Sequence, residues 1–370
     1  MSAGGKAFYT FVSAQQHSQK MSSHKKSILY TYVQKRSFVT TDLTRLQESF
    51  AVTPYRFAAN KKVLLPLYFL LQAIYLLIFG WRYNAFACFF AGFHSMLPAW
   101  FARITGKKCI IFLGGTDCFK YPSFRYGNFT KKSYGYATCF SANKASLLVP
   151  VSATLMRTTS SYYEVDSVTQ GIYHWCKDLK TPFHVVPTEY NPEIFKRMPV
   201  ERKPNSFITI GFDIQGTSFM RKGIDKFVMI AGHFPEYSFT IIGTTTDQFP
   251  VQVPSNVTLV PPVPHAEIPV YLSSHQFYVQ LSIAEGLPNA VCEAMLCECI
   301  PIGSEANGIP DAISSFGFLV PKRNDEIIIQ TVRDAIGYHD KEAMGKKGRQ
   351  HIIDQFGPGT RVNELVKLFS

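Results

Sequence analysis

The chain has 370 residues, 46% of them apolar and 17% charged, a composition that excludes a disordered chain and exceeds what one hydrophobic core serves, so two domains are expected. Thirty-eight Lys and Arg against 26 Asp and Glu leave a formal charge of +12, which implies an anionic partner: nucleic acid, an anionic membrane surface or a phosphorylated substrate. Eight cysteines (88, 109, 118, 139, 176, 292, 297 and 299) lack paired metal-finger spacing and follow no secretory signal, so they read as reduced thiols of a cytosolic protein.

Residues 1–25 are polar, rich in Ser, Gln and Lys, and without a period. They read as an extension, disordered or added to the natural chain, with Met21 as a candidate fresh start. Residues 27–33, Ser-Ile-Leu-Tyr-Thr-Tyr-Val, predict a first strand, followed by a loop at 34–37 and an amphipathic helix through Leu43, Leu46 and Phe50. Residues 63–79 are apolar apart from Pro66, Gln72 and the hydroxyls of Tyr68 and Tyr75, with Lys61-Lys62 before them and Trp81-Arg82 after. Such a segment fits a core helix or an interfacial helix lying on a membrane. Its 17 residues sit at the lower limit of a bilayer span, and spanning would interrupt the αβ alternation.

Further strands are expected at 85–90, 109–113, 147–151 and 184–186, alternating with helices, which predicts a doubly wound parallel domain over 26–196. His94, in Phe93-His94-Ser95, is either a hydrogen-bonded structural histidine or a ligand contact. Gly114 and Gly115 let backbone approach a ligand, and Asp117 beside them at a strand's carboxyl end is expected to face the cleft. From 119 to 134 aromatics interleave with bases, as in an acceptor lip, a membrane-touching loop, a nucleic-acid platform or an ordinary surface loop.

A polar linker is expected at 196–205 and a second α/β series from 207–211 to about residue 356, with a last helix over the remaining 357–370. Arg221-Lys222, just before a helix, offers positive charge to a diphosphate. The apolar run 277–281 reads as a buried strand, Gly286 permits a tight turn, and Pro288 suits the first position of a helix that starts there. The free N–H groups of that helix end favour a phosphate. Glu285 stands before it, and Glu293 lies about 6 Å along the axis from Asn289, on the same i,i+4 face. Two carboxylates so placed can each accept hydrogen bonds from a pair of vicinal hydroxyls. Cys292, Cys297 and Cys299 fall on this helix and the strand after it, and read as buried thiols rather than metal ligands.

The stretch Ser282-Ile-Ala-Glu285-Gly286-Leu287-Pro288-Asn289-Ala-Val-Cys-Glu293-Ala294-Met295 resembles the second domain of the retaining family 4 (group 1) glycosyltransferases of GT-B fold, whose E-x7-E motif it carries. The resemblance continues through Asn307-Gly308-Ile309-Pro310-Asp311, through Lys222-Gly223-Ile224-Asp225, and more weakly through Gly114-Gly115-Thr116-Asp117 and 186–195. It departs at Glu298, where the family usually has glycine, at Gly114, where many relatives carry His, and after Gly211, where the family's Arg is missing and Arg221, Lys35 or Arg36 are the candidates to replace it.

The resemblance implies two Rossmann-like domains facing a cleft, the last helix crossing back to the first. It implies a UDP- or GDP-linked sugar donor held by Arg221, Lys222, Glu285, Gly286, Leu287, Pro288, Asn289 and Glu293. Glu285 would position the sugar and Glu293 the ribose, with Glu285 and Lys222 at the reaction centre. His94, Gly114, Gly115 and Asp117 would line the acceptor side. It also implies retention of configuration, a saccharide or lipid-linked acceptor, a role in bacterial cell-surface polysaccharide or glycolipid synthesis, and work on the cytoplasmic side of a membrane, with peripheral contact to anionic lipid. No metal ligand set and no required cofactor are expected, because Lys222 and the helix end supply positive charge. A GT-B epimerase or phosphorylase would share the architecture. A nucleic-acid-binding protein would use the charge but leave the paired glutamates unexplained, so no nucleic-acid partner is expected.

Overall fold

The computed structural model describes residues 25–370 apart from 36, 59–61 and 213. The expected extension therefore lies outside the described residues as far as residue 24, and so do Arg36 and Lys61.

The first domain runs β1 (Ser27–Tyr32), α1 (Ser37–Ser49), β2 (Ala51–Arg56), α2 (Leu65–Phe79), β3 (Ala85–Phe89), α3 (Phe93–Ile104), β4 (Lys108–Leu113), α4 (Lys132–Lys144) and β5 (Leu147–Pro150). The five strands form one parallel sheet in the order β2-β1-β3-β4-β5. β1 and β3 are buried along their whole length, as strands covered on both faces must be, and β3 reads as a continuous apolar run while β1 is broken by Ser27 and Thr31. Sequence reasoning missed β2. It is a half-exposed edge strand, and Pro54 within it is tolerated because an edge has a side with no ladder to feed. Conversely, 184–186 is not a strand. Pro182 and Pro187 flank it, and only two bonds, from His184 N to Leu148 O (3.0 Å) and from Val186 N to Pro150 O (3.0 Å), hold it along β5.

A two-residue hairpin, β6 (Thr158–Thr159) with β7 (Thr169–Gln170), and the single turn α5 (Ile172–Trp175) complete this domain. The expectation of eight reduced thiols is corrected here. Cys139 on α4 and Cys176 after α5 have Cα atoms 5.4 Å apart and form a disulfide, a pairing 37 residues apart in sequence that no spacing announces. The other six cysteines are free and buried.

The second domain runs β8 (Ser206–Ile210), α6 (Thr217–Arg221), α7 (Ile224–His233), β9 (Ser238–Ile242), β10 (Val257–Val260), α8 (Ile268–Ser273), β11 (Phe277–Gln280), α9 (Asn289–Leu296), β12 (Ile300–Ser304), α10 (Ile309–Ile313), β13 (Phe318–Val320), α11 (Asp325–Gly337) and α12 (Lys341–Phe356). Its six parallel strands lie in the order β10-β9-β8-β11-β12-β13. Both sheets are therefore doubly wound, and the chain direction reverses beside β1 in the first and beside β8 in the second. The turn at Glu298 bends to φ 64°, a left-handed conformation that glycine adopts more easily.

The linker is tied down rather than free. Arg202 donates to the carbonyls of Ser273, Cys297 and Glu298, and Met198 N bonds Ser273 Oγ at 2.9 Å. The last helix, α13 (Thr360–Phe369), lies on α1 of the first domain. Its Leu365 and Phe369 join Leu43, Leu46 and Phe50 in one core, while α2 and α3 cover the other face of the sheet.

Candidate active site

The chain reversal in the second sheet separates the loops that follow β8 and β11, and the candidate residues sit on those loops. The 221–223 backbone runs against 281–283: Ile283 N donates to Arg221 O at 2.8 Å, and Ser282 Oγ donates to Lys222 O at 3.3 Å. Gly223, at φ 73°, brings the two loops so close that a Cβ there would lie 2.2 Å from Leu281 O. Arg221, Lys222 and Glu285 consequently share one corner. Burial raises the Glu285 carboxyl above its ordinary value, and Arg221, Lys222 and Ser282 pull against that rise. Lys222 Nζ donates to Phe212 O.

α9 begins at Asn289, and Pro288, in extended conformation, is its N-cap rather than its first residue. Pro288 O accepts from Val291 N (3.1 Å) and Cys292 N (3.3 Å), so the helix end that was expected is displaced by one residue. Leu287 is buried beneath this turn. Glu293, one turn on, pairs with His265 (Nε2 to Oε1, 3.1 Å), and its side chain is 14% exposed. His265 is held in turn against the Phe195 ring, centroids 5.1 Å apart, and Glu293 raises its pKa. Asn289 Oδ1 accepts from Tyr190 OH at 2.8 Å. Sequence reasoning missed His265 and Tyr190, since both arrive from segments remote in the chain and neither stands in a patterned motif.

The two domains meet at this corner. A Cβ on Gly286 would lie 2.2 Å from Gly114 O, so the Gly114-Gly115 turn of the first domain touches the Glu285 loop backbone to backbone. A Cβ at Gly114 itself would lie 2.0 Å from the Phe90 ring, so that ring would have to move to admit a side chain. Ser152 Oγ donates to Asp311 Oδ2 at 2.5 Å and Tyr162 OH to Leu281 O at 3.2 Å across the same boundary.

Within the aromatic run, Tyr126 turns inward. The Arg221 guanidinium lies over its ring at 4.3 Å, and its hydroxyl accepts from Thr116 Oγ1 at 3.2 Å. Thr217 Oγ1 donates to Phe124 O at 3.0 Å, so the run closes over the Arg221 corner. Its aromatic and basic composition gave the signal; which ring would face Arg221 did not follow from it.

Asp117 is buried and committed. Oδ1 accepts from Gly114 N (3.2 Å) and Gly115 N (3.0 Å), and Oδ2 from Ala91 N (3.2 Å). Burial raises its pKa to about 6 against those three donors. It ties the loops after β3 and β4 together, so the oxygens of this cleft-lining carboxylate are already hydrogen-bonded. His94 is likewise hydrogen-bonded within the domain: Nε2 lies 2.8 Å from Phe89 O, and burial lowers its pKa to about 4. Both residues line a pocket of about 200 Å³ at the carboxyl ends of β1 and β3, whose other walls include Phe57, Leu65, Phe93 and Tyr134. Lys35 is exposed in the loop after β1. Among the described residues no group of three His, Cys, Asp or Glu stands together as a metal site, and Cys292, Cys297 and Cys299 are buried.

Residues 215–337 match the family model for glycosyl transferases group 1. No curated protein sequence matches the chain. Among solved structures, a sucrose-phosphate synthase from Thermosynechococcus elongatus is similar with a TM-score of 0.68 at 13% identity, over 93% of this chain and 98% of that one. Anabaena HepE, in complex with UDP and glucose, is similar with a TM-score of 0.66 at 13% identity, over 93% and 99%. A glycosyltransferase from Rickettsia africae gives 0.63 at 12% identity, over 94% and 98%. Two facing doubly wound domains with a returning last helix, matched over nearly the whole of these chains, make this an α/β protein of GT-B fold whose residues 215–337 match the group 1 glycosyl transferase model.

Proposed function

We propose that the protein transfers a sugar from a UDP- or GDP-linked donor to a saccharide or lipid-linked acceptor with retention of configuration. The observation that carries this reading is the shared corner of Glu285, Arg221 and Lys222 at the end of α9, closed by Tyr126 and adjoining the first-domain pocket. Arg221, Lys222 and the first N–H groups of α9 offset the charge that grows on the departing diphosphate. Glu285 accepts hydrogen bonds from the sugar hydroxyls. Glu293, oriented by His265, accepts those of the ribose. The acceptor hydroxyl attacks the anomeric carbon from the face the diphosphate leaves, and a departing phosphate oxygen takes its proton. The proposal extends to cell-surface glycan or glycolipid synthesis at the cytoplasmic face of a membrane. The pocket beside an apolar helix supports the membrane position.

A thermal-shift panel of UDP, GDP and their sugars tests this. One class of nucleotide sugar should stabilise the protein by about 2.7 kcal/mol at a hundred times its Kd. Glu285→Gln should keep that shift while turnover falls at least about tenfold, as for a contact strengthened in the transition state. Excess chelator should leave turnover unchanged. No shift with any nucleotide sugar would sink the reading, and unchanged turnover of the variant would remove Glu285 from the chemistry.

A further inference from the structure

Residues 63–79 contain no charged side chain, and α2 does not hide them. Only 17% of residues 65–82 are buried. Val63 is 89% exposed, and Leu67, Leu70, Ile74, Leu77 and Trp81 follow at spacings of three and four, so one stripe of apolar side chains faces outward along the whole helix. Trp100 and Ile104 of α3 are also exposed. Soluble monomers seldom show a continuous apolar face of this kind without a use for it.

The opposite face of α2 is fastened to the domain. Gln72, buried, donates to His94 O at 3.0 Å; the Tyr75 and Tyr83 hydroxyls are 2.7 Å apart; and the Phe69 and Phe93 rings meet edge to face at 6.2 Å. A helix pinned in this way, and only about 22 Å long, lies along a bilayer rather than across its roughly 30 Å of hydrocarbon.

Charge decides what covers the stripe. Between residues 49 and 163 there are thirteen Lys and Arg and one acidic residue, Asp117, which is buried, so this stretch by itself carries an excess equal to that of the whole chain. Arg56, Arg82 and Arg103 are exposed in the elements that border the apolar face. A second copy of the chain would set like charges around the contact, whereas anionic headgroups neutralise them. The face is also continuous with the acceptor pocket, because Leu65, at the start of α2, is one of the pocket's walls together with Phe57 and Phe93.

We propose that the outward face of α2, with Trp81, Trp100 and Ile104, docks on an anionic bilayer, and that it presents the pocket at its amino-terminal end to an acceptor held in that bilayer by an apolar chain. The docking stands on the helix and its charges alone. The acceptor's class rests on the transferase reading above.

Sedimentation of the full chain with vesicles tests it. Vesicles of equal parts phosphatidylcholine and phosphatidylglycerol should retain the protein at low salt and partly release it at high salt, and phosphatidylcholine alone should retain it weakly. Leu70→Gln, Ile74→Gln and Leu77→Gln together should weaken retention at least about tenfold without altering the melting temperature, since all three side chains already face water. Arg82→Glu with Arg103→Glu should weaken binding to the anionic vesicles selectively. Absence of retention at any salt overturns the proposal, as does retention indifferent to both sets of changes. So does a stable dimer that the glutamine variants dissociate, which would make a second copy the occupant. Nucleotide-sugar shifts measured on the same variants keep the two readings apart: docking without any nucleotide response leaves this surface in place and removes the transferase.

Discussion

Burial sets the behaviour of the two acidic groups on the loops of the Gly114–Gly286 contact, and does so differently. Glu285 has two cationic neighbours to counter its desolvation, whereas Asp117 is countered by backbone N–H groups without a cation and is held at a pKa of about 6. A carboxyl whose folded pKa lies above its unfolded value takes up a proton on folding. The stability it contributes is therefore complete below the unfolded pKa, near 4, and is lost as pH rises through about 6. The unfolding free energy of the native protein relative to Asp117→Asn should accordingly fall by about 2 to 3 kcal/mol between about pH 4 and pH 7. Chemical denaturation across that range measures it. A difference that stays flat with pH would mean that Asp117 titrates like an exposed carboxylate. The residue itself was legible from Gly114-Gly115-Thr116-Asp117, but its use was not: a strand-end Asp can face a ligand or knot two loops, and only the path of the Ala91 backbone, from another part of the chain, chooses between them.

Elements with strong periodic or turn chemistry were legible, and those shaped by tertiary contact were not. α13 reads correctly because its apolar positions and Gly359 are local information, and β11 with α9 follows from Gly286 and Pro288 to within one residue. β2 escaped notice because a Pro-containing, half-exposed strand owes its pairing to β1 rather than to its own residues. The joint between α6 and α7 lies between these cases. Lys222 and Gly223 stood out in the sequence, yet their contact with 281–283 depends on two loops meeting at the reversal of strand order. Lys222 caps α6, and its backbone carbonyl is bonded by Ser282, so the side chain can be removed while the joint remains. Lys222→Ala should then lower donor affinity and turnover by about 2 kcal/mol, roughly thirtyfold, with little change in melting temperature. Titration calorimetry with the donor and steady-state kinetics would show it, and unaltered affinity would take Lys222 out of the diphosphate site.

Across the whole molecule, the chain passes between the domains twice, once through 196–205 and again before α13, so the seating of α13 on the first domain bears on the contact between Gly286 and Gly114 that forms the site. That seating has a polar centre. Arg361 grips Asp42 of α1 with two bonds of 2.7 Å, Nε to Oδ1 and Nη2 to Oδ2, and donates through Nη1 to Val186 O (2.6 Å) and Pro187 O (3.2 Å). Both side chains are about 5% exposed or less. Desolvation consumes much of what such a pair gains, so its net contribution over an apolar pair is small, but breaking one side leaves the other charged and buried. Arg361→Met should therefore cost about 3 to 5 kcal/mol of unfolding free energy, and adding Asp42→Leu should recover most of it, because the second change removes the stranded carboxylate. Urea unfolding of the single and double variants gives the coupling directly. If the single variant loses less than about 1 kcal/mol, Asp42 has found water or another donor, and α13 is held by Leu365 and Phe369 rather than by charge. If the single variant is destabilised as expected, its turnover should fall at temperatures well below its melting point, since a loosened α13 lets the second domain drift from the Gly114 turn against which the donor corner is built.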